Sequence, residues 1–256
     1  MRRGICWYRR PLCGLDFETT GTNPEVDRPV SASVVRWGGG LPTESTSWLI
    51  DPGVEIPAEA TAVHGITTVA ARSAGRPAAD AIAEITERLV EAARQGWAIV
   101  VMNAPFDLTL LDREQARHGV TRLFAQTRPL VVDPRVLDKR VDRTRRGPRR
   151  LEDLCRHYVV TLEGAAHRAD TDAKAACAVT WKIANRHRWL GCMPLENLHA
   201  AQIEWAREQA EGLRHHFERT PGKEALAPGV RTDWPLVPAP QAGPGLPSAP
   251  VAGEPW

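Results

Sequence analysis

Three strand-like segments stand in succession before any helical periodicity begins, and this order limits the folds open to the chain more than any other feature. Residues 11–17 are mostly apolar and run into the polar turn Glu18-Thr19-Thr20-Gly21. Residues 29–37 are rich in Val and Ser, and residues 45–50 follow a Gly-rich hairpin at Gly38, Gly39 and Gly40. Such a start predicts an antiparallel beginning to a sheet. Between residues 79 and 94 the pattern changes: Ile82, Ile85, Leu89 and Ala93 recur at helical spacing, with Glu84 and Arg88 paired on the polar face. Residues 98–102 then read as a buried strand, and Asn103-Ala-Pro-Phe-Asp107 as a turn into a helix, with Asn103 as cap and Pro105 in the first turn. A short strand is expected at 130–133 and helices at 151–157 and 170–188. Strands followed by alternating helices and strands imply an α/β fold, a mixed sheet covered by helices.

The remaining third of the chain divides in two. Residues 195–219 carry Leu198, Ala201, Trp205, Leu213 and Phe217 at helical spacing, whereas residues 221–256 hold nine prolines and five glycines. The first reads as a C-terminal helix. The second reads as an extended tail without regular structure, with Trp234, Pro235 and Leu236 docking on the domain.

Composition excludes more than it selects. With 33 basic and 31 acidic residues, the formal charge of +2 gives no global field to draw nucleic acid, so any attraction must come from local clustering. Five cysteines, an odd number without CxxC spacing, argue against both a disulfide framework and a zinc site, and fit a reducing cytoplasm. No apolar run has the length of a signal peptide or a membrane span. Cytoplasmic localisation without membrane association is therefore expected.

Chemistry is concentrated in acidic residues at the ends of these elements. Side chains two apart on a strand share a face, so Asp16 and Glu18 converge, a costly pairing unless a cation lies between them. Oxygen-only ligation suits Mg²⁺ or Mn²⁺. Asp107, Asp170 and Asp172 each open a helix, where an aspartate also serves as a simple cap.

The order Asp-Phe-Glu-Thr-Thr-Gly at 16–21, Asn-Ala-Pro-Phe-Asp at 103–107 and His-Arg-Ala-Asp-Thr-Asp-Ala at 167–173 resembles the three motifs of the DnaQ-like DEDDh exonucleases, over roughly residues 11–190. Val63-His64-Gly65-Ile66-Thr67 resembles that family's additional loop near the substrate terminus. His167 stands five residues before Asp172, the spacing of the h branch, while Arg168 occupies the position at which the y branch carries tyrosine.

The resemblance implies a ribonuclease-H-like mixed sheet flanked by helices at about residues 8–190, and a metal-dependent 3′-to-5′ exonuclease that releases 5′-mononucleotides. It further implies two Mg²⁺ or Mn²⁺ ions on Asp16, Glu18, Asp107 and Asp172, with His167 as the base that activates water. Thr19, Thr20, His64 and Phe106 would grip the terminal nucleotide and Asn103 would support the turn. DNA in repair or proofreading is the leading substrate, with a DNA polymerase or other replication protein as partner. RNA trimming is the alternative, and a non-catalytic nucleic-acid-binding or docking subunit is the rival from another class. Oligomeric state is not legible. Finally, residues 139–150 hold seven basic residues and one acidic, Asp142. This segment, including Arg145 and Arg146, reads either as a phosphate-backbone contact or as a solvated loop.

Overall fold

The structure, a computed structural model, describes residues 5–161 and 167–239. Among these, six strands form one mixed sheet: β1 (Pro11–Thr19), β2 (Pro29–Gly38), β3 (Glu44–Asp51), β4 (Arg76–Pro77), β5 (Ala98–Val101) and β6 (Val131–Val132), in the order β4-β3-β2-β1-β5-β6. β1, β2 and β3 pair antiparallel, as their close succession predicts, with Gly38, Gly39 and Gly40 all at positive φ in the hairpin. β5 and β6 add in parallel to β1, and β4 adds in parallel to β3.

The helices are α1 (Ala58–His64), α2 (Thr68–Ala74), α3 (Ala78–Arg94), α4 (Ala104–His118), α5 (Leu123–Gln126), α6 (Pro134–Val141), α7 (Leu151–Tyr158), α8 (Ala169–Arg186), α9 (Arg188–Gly191) and α10 (Leu195–Glu218). The apolar stripe of α3 is fully buried at Ile82, Ile85 and Leu89, in one core with Leu12, Leu15 and Ile99 of the central strands. No described helix is long and apolar enough to cross a membrane.

Several expectations need correction. The segment around His64 is not a loop but the junction of two seven-residue helices: Gly65 closes α1 in the left-handed conformation, and the Thr67 hydroxyl caps α2 by accepting from the Ala70 amide at 3.1 Å. These caps are present in the sequence, but α1 buries no residue of its own, so no apolar periodicity announces it. Asn103 does not cap α4 with its side chain; it adopts φ 60°, and the helix end is capped from β6. Part of the tail is regular as well: Glu224–Gly229 is a 3₁₀ helix. Beyond it Trp234 is buried and docks on the domain, donating to Asp133 at 3.4 Å, while the Val237 amide donates to the Thr109 hydroxyl at 3.0 Å. Residues 240–256 lie outside the described part of the chain.

The cysteine reading also changes. Cys6 and Cys192 form a disulfide with Cα atoms 4.7 Å apart, tying the N-terminal 3₁₀ turn Trp7–Arg9 to the end of α9. A separation of 186 residues leaves no local spacing from which to read that pair. The cysteine count therefore gives no argument about compartment.

Candidate active site

The site begins with a missing side chain. A Cβ on Gly14 would lie 2.7 Å from the Ala173 carbonyl oxygen and 2.8 Å from the Cys177 sulfur, so only glycine lets α8 lie this close to β1. Asp16 and Glu18 follow Gly14 on the same side of the pleat and therefore also face α8. There they meet Asp172, in the first turn of α8: carboxylate oxygens of Asp16, Glu18 and Asp172 all lie within 4.8 Å of one another. The partners of Asp16 and Glu18 on β2 are Ser33 and Ser31, so the neighbouring strand offers no cation.

Three carboxylates crowded in this way resist ionisation. Burial, then Asp107, Asp172 and Glu18, push the Asp16 carboxyl well above its ordinary value. Burial and then Asp172 push Glu18 up to about 7. Burial also raises Asp172, with Glu152 and Asp170 adding to the effect and His167 opposing it.

Asp107 stands beside the cluster rather than within it. The β1–β5 ladder ends at Leu15 and Val101, and the Phe17 amide beyond it donates instead to Asp107 at 3.2 Å. Burial pushes Asp107 up to about 8, against hydrogen bonds from the Phe17 amide and its own; Asp133 and Glu18 add to the rise. The start of α4, the helix that carries Asp107, is anchored by Asp133, a residue sequence reasoning missed. The Asp133 carboxylate accepts from the amides of Asn103 at 3.2 Å and Ala104 at 3.0 Å, capping α4, and from Arg135 at 2.9 Å, capping α6. Its signal was an acid just after the apolar pair Val131-Val132, which alone reads as an ordinary strand end.

His167 lies at φ 59°, held there by its amide, which donates to Asp172 at 3.1 Å. Its ring is about half exposed, with Nε2 3.7 Å from Glu152, a neighbour that sequence reasoning also missed. His167 lines a cleft of about 360 Å³ together with Glu18, His64, Ile66 and Trp48. His64 Nδ1 accepts from the Ile66 amide at 3.1 Å, and its buried Nε2, near the Thr19 backbone, makes no close hydrogen bond among the described residues. Burial lowers the pKa of His64, so the neutral ring presents an Nε2–H donor.

The remaining expected contacts divide. Thr20 does not offer its hydroxyl to a substrate: it donates to Asp27 at 2.9 Å and accepts from the Arg28 amide at 3.0 Å, closing a turn. The Thr19 hydroxyl likewise donates to the Gly21 carbonyl at 2.5 Å. Phe106 is half-buried in the first turn of α4. Within the basic segment, Arg145 and Arg149 pair with the fully buried Asp138, Arg149 at 2.7 Å, and are structural; Arg146 is exposed.

The donor set fits a hard divalent cation, because it offers only carboxylate oxygens, crowded and partly buried, with no sulfur or imidazole among them. A cation there would offset the burial, and with it the like-charge crowding, that raise these three groups.

Residues 13–180 match the RNase T exonuclease family, and the chain belongs to that family, that is, to the DnaQ-like 3′-to-5′ exonucleases. The chain is 41% identical over 107 residues to a DNA polymerase III subunit epsilon-like protein of Rhodobacter capsulatus, an alignment covering 41% of this chain and 14% of that protein. Among solved structures, Exonuclease I of Methylocaldum szegediense superposes with a TM-score of 0.58 at 22% identity, covering 80% of this chain and 45% of that one. Exonuclease I of E. coli in complex with a dT13 oligonucleotide also gives 0.58 at 22% identity, covering 70% and 42%. The chain thus spans less than half the length of these relatives, and the structural likeness is one of fold.

Proposed function

We propose that this protein hydrolyses single-stranded DNA from the 3′ end, releasing 5′-mononucleotides in repair or proofreading. The observation that carries this reading is the convergence of Asp16, Glu18 and Asp172, with Glu18 and His167 lining one open cleft. DNA is favoured over RNA because the relatives include a polymerase III epsilon-like protein and an Exonuclease I bound to a deoxythymidine oligonucleotide. A polymerase or other replication protein is the corresponding partner.

Asp16, Glu18, Asp172 and Asp107 would hold two Mg²⁺ or Mn²⁺ ions, which when bound supply positive charge to the attacking and departing oxygens. The residues of the chain do the rest. His167 Nε2 takes the proton of the attacking water, and Glu152, 3.7 Å away, stabilises the imidazolium that results. The Asp172 contact to the His167 amide couples the position of this base to that of a ligand. His64 Nε2–H donates to an oxygen of the terminal nucleotide, and Phe106 offers a face for its base. Matched end-labelled DNA and RNA strands, digested with Mg²⁺, Mn²⁺ or EDTA, test the proposal. Metal-dependent shortening of DNA from the 3′ end is expected, and faster shortening of RNA would reverse the substrate assignment.

A further inference from the structure

A cavity of about 510 Å³ lies between α6, α10 and the docked C-terminal segment and adjoins the first turn of α4. Its α6 wall carries Arg135 and Lys139, one helical turn apart on the same face. Among the described residues neither has a carboxylate within salt-bridge distance. The Arg135 guanidinium donates to the Asn103 amide oxygen at 2.6 Å, and among the described residues the Lys139 ammonium has no hydrogen-bond partner. Two acids do line the cavity, but Asp133 is occupied by three backbone amides and Asp233 pairs with Arg231 at 3.4 Å. Like charges one turn apart oppose each other, and half-burial deprives them of water's screening. Burial first, then Arg135 and Arg149, hold Lys139 below the ordinary lysine range, against the opposing pull of Asp133 and Asp138.

The opposite wall is apolar, with Leu213 and Phe217 of α10, and Trp234 closes one side. An inorganic anion would answer the two cations and leave that wall bare. A ligand with a charged end and a flat, weakly polar end answers both, and the volume lies within the roughly 300–1,000 Å³ usual for small-molecule pockets.

We propose that this cavity is a second nucleotide site, in which Arg135 and Lys139 hold a phosphate and a base lies against Phe217. The choice of a nucleotide rests on the exonuclease reading, which supplies two sources of it. One is an internal nucleotide of a strand whose 3′ end lies among the carboxylates; the other is a released 5′-mononucleotide.

Calorimetric titration with 5′-thymidine monophosphate in EDTA tests the site apart from the metal centre. Thymidine monophosphate is expected to bind the parent and Asp16→Asn alike, and thymidine far more weakly. Lys139→Gln and Phe217→Ala, on different helices, should each weaken the nucleotide by about tenfold, the usual scale for one charged hydrogen bond or one aromatic contact. Equal affinity in both variants, no binding to the parent, or loss of binding in Asp16→Asn would overturn the proposal. If Asp16→Asn instead keeps full exonuclease activity, the active-site reading fails while the second site stands. Steady-state cleavage by Lys139→Gln then separates the sources. A raised KM for a twenty-nucleotide strand but not for a four-nucleotide one supports the strand. An unchanged KM with lost inhibition by thymidine monophosphate supports the product. Parent-like values for both readouts would overturn the site.

Discussion

Gly14 of β1 and Ala173 of α8 are in such close contact that a methyl group on Gly14 would sit 2.7 Å from the Ala173 carbonyl oxygen. Each is close to a carboxylate of the cluster: Gly14 shares its face with Asp16, and Ala173 follows Asp172. The distance between strand and helix therefore sets the distance between acids. Gly14→Ala should push α8 outward, lowering stability by about 1–3 kcal/mol as overpacking does, and should weaken Mn²⁺ binding. A variant that melts like the parent and binds Mn²⁺ equally well would show that the contact does not set the site.

Asp16→Asn and Asp172→Asn are expected to abolish cleavage while raising the melting temperature in metal-free buffer. Each would remove a proposed metal ligand and one of three crowded carboxyl groups. Melting curves with and without Mg²⁺ check both halves. Retained turnover would remove the residue from the metal site.

His167→Ala should keep metal binding and lose about two or more orders of magnitude in single-turnover rate, the usual scale of a general base. The acidic limb of the pH–rate profile should also change. Rates measured at saturating Mg²⁺ across the pH range decide the matter, and superimposable profiles would leave His167 without a catalytic role.

The metal-free protein should lose stability as pH rises. Glu18 and Asp107 titrate at about 7 and about 8 in the fold, against ordinary values of 4.5 and 3.8. Between those limits the native state binds more protons than the unfolded chain, so the contribution is full below about pH 4 and is lost as pH passes through 7 to 8. Denaturant midpoints with EDTA should fall across this window, and saturating Mg²⁺ should flatten the slope. A midpoint that rises over the same range without metal would contradict the burial and crowding of these acids.

The basic segment should separate into two functions. Arg149→Ser should destabilise the fold, because it leaves the buried Asp138 with one cation fewer. Arg146→Ser should leave the melting temperature unchanged and reduce the salt slope of DNA binding by about one. An unaltered slope would make the segment purely structural.

How much of this was legible beforehand depended on range. The long elements with strong periodicity, β1, β2, α3 and α10, were readable because local apolar spacing decides them. The helices α1, α2, α5 and α6 were not, being four to eight residues long and stabilised by caps and packing rather than by an apolar stripe of their own. Arg145 and Arg149 looked like their exposed neighbours, since nothing local announces that Asp138 is buried beneath them.

The residue types of the site and their order along the chain were determined by the sequence alone: carboxylates ending a strand, an acid opening a helix, and a histidine five residues before the last acid. Alternation along β1 already placed Asp16 and Glu18 on one face. Only the tertiary structure decided which face that was and what met it. Packing at Gly14 brings Asp172 onto Asp16 and Glu18, Asp133 caps α4 in place of Asn103, and Cys6 reaches Cys192 across 186 residues. The reason is physical: periodicity and capping act within a few residues, whereas the approach of two acids depends on how closely a helix can lie on a strand, which is settled only when the core packs.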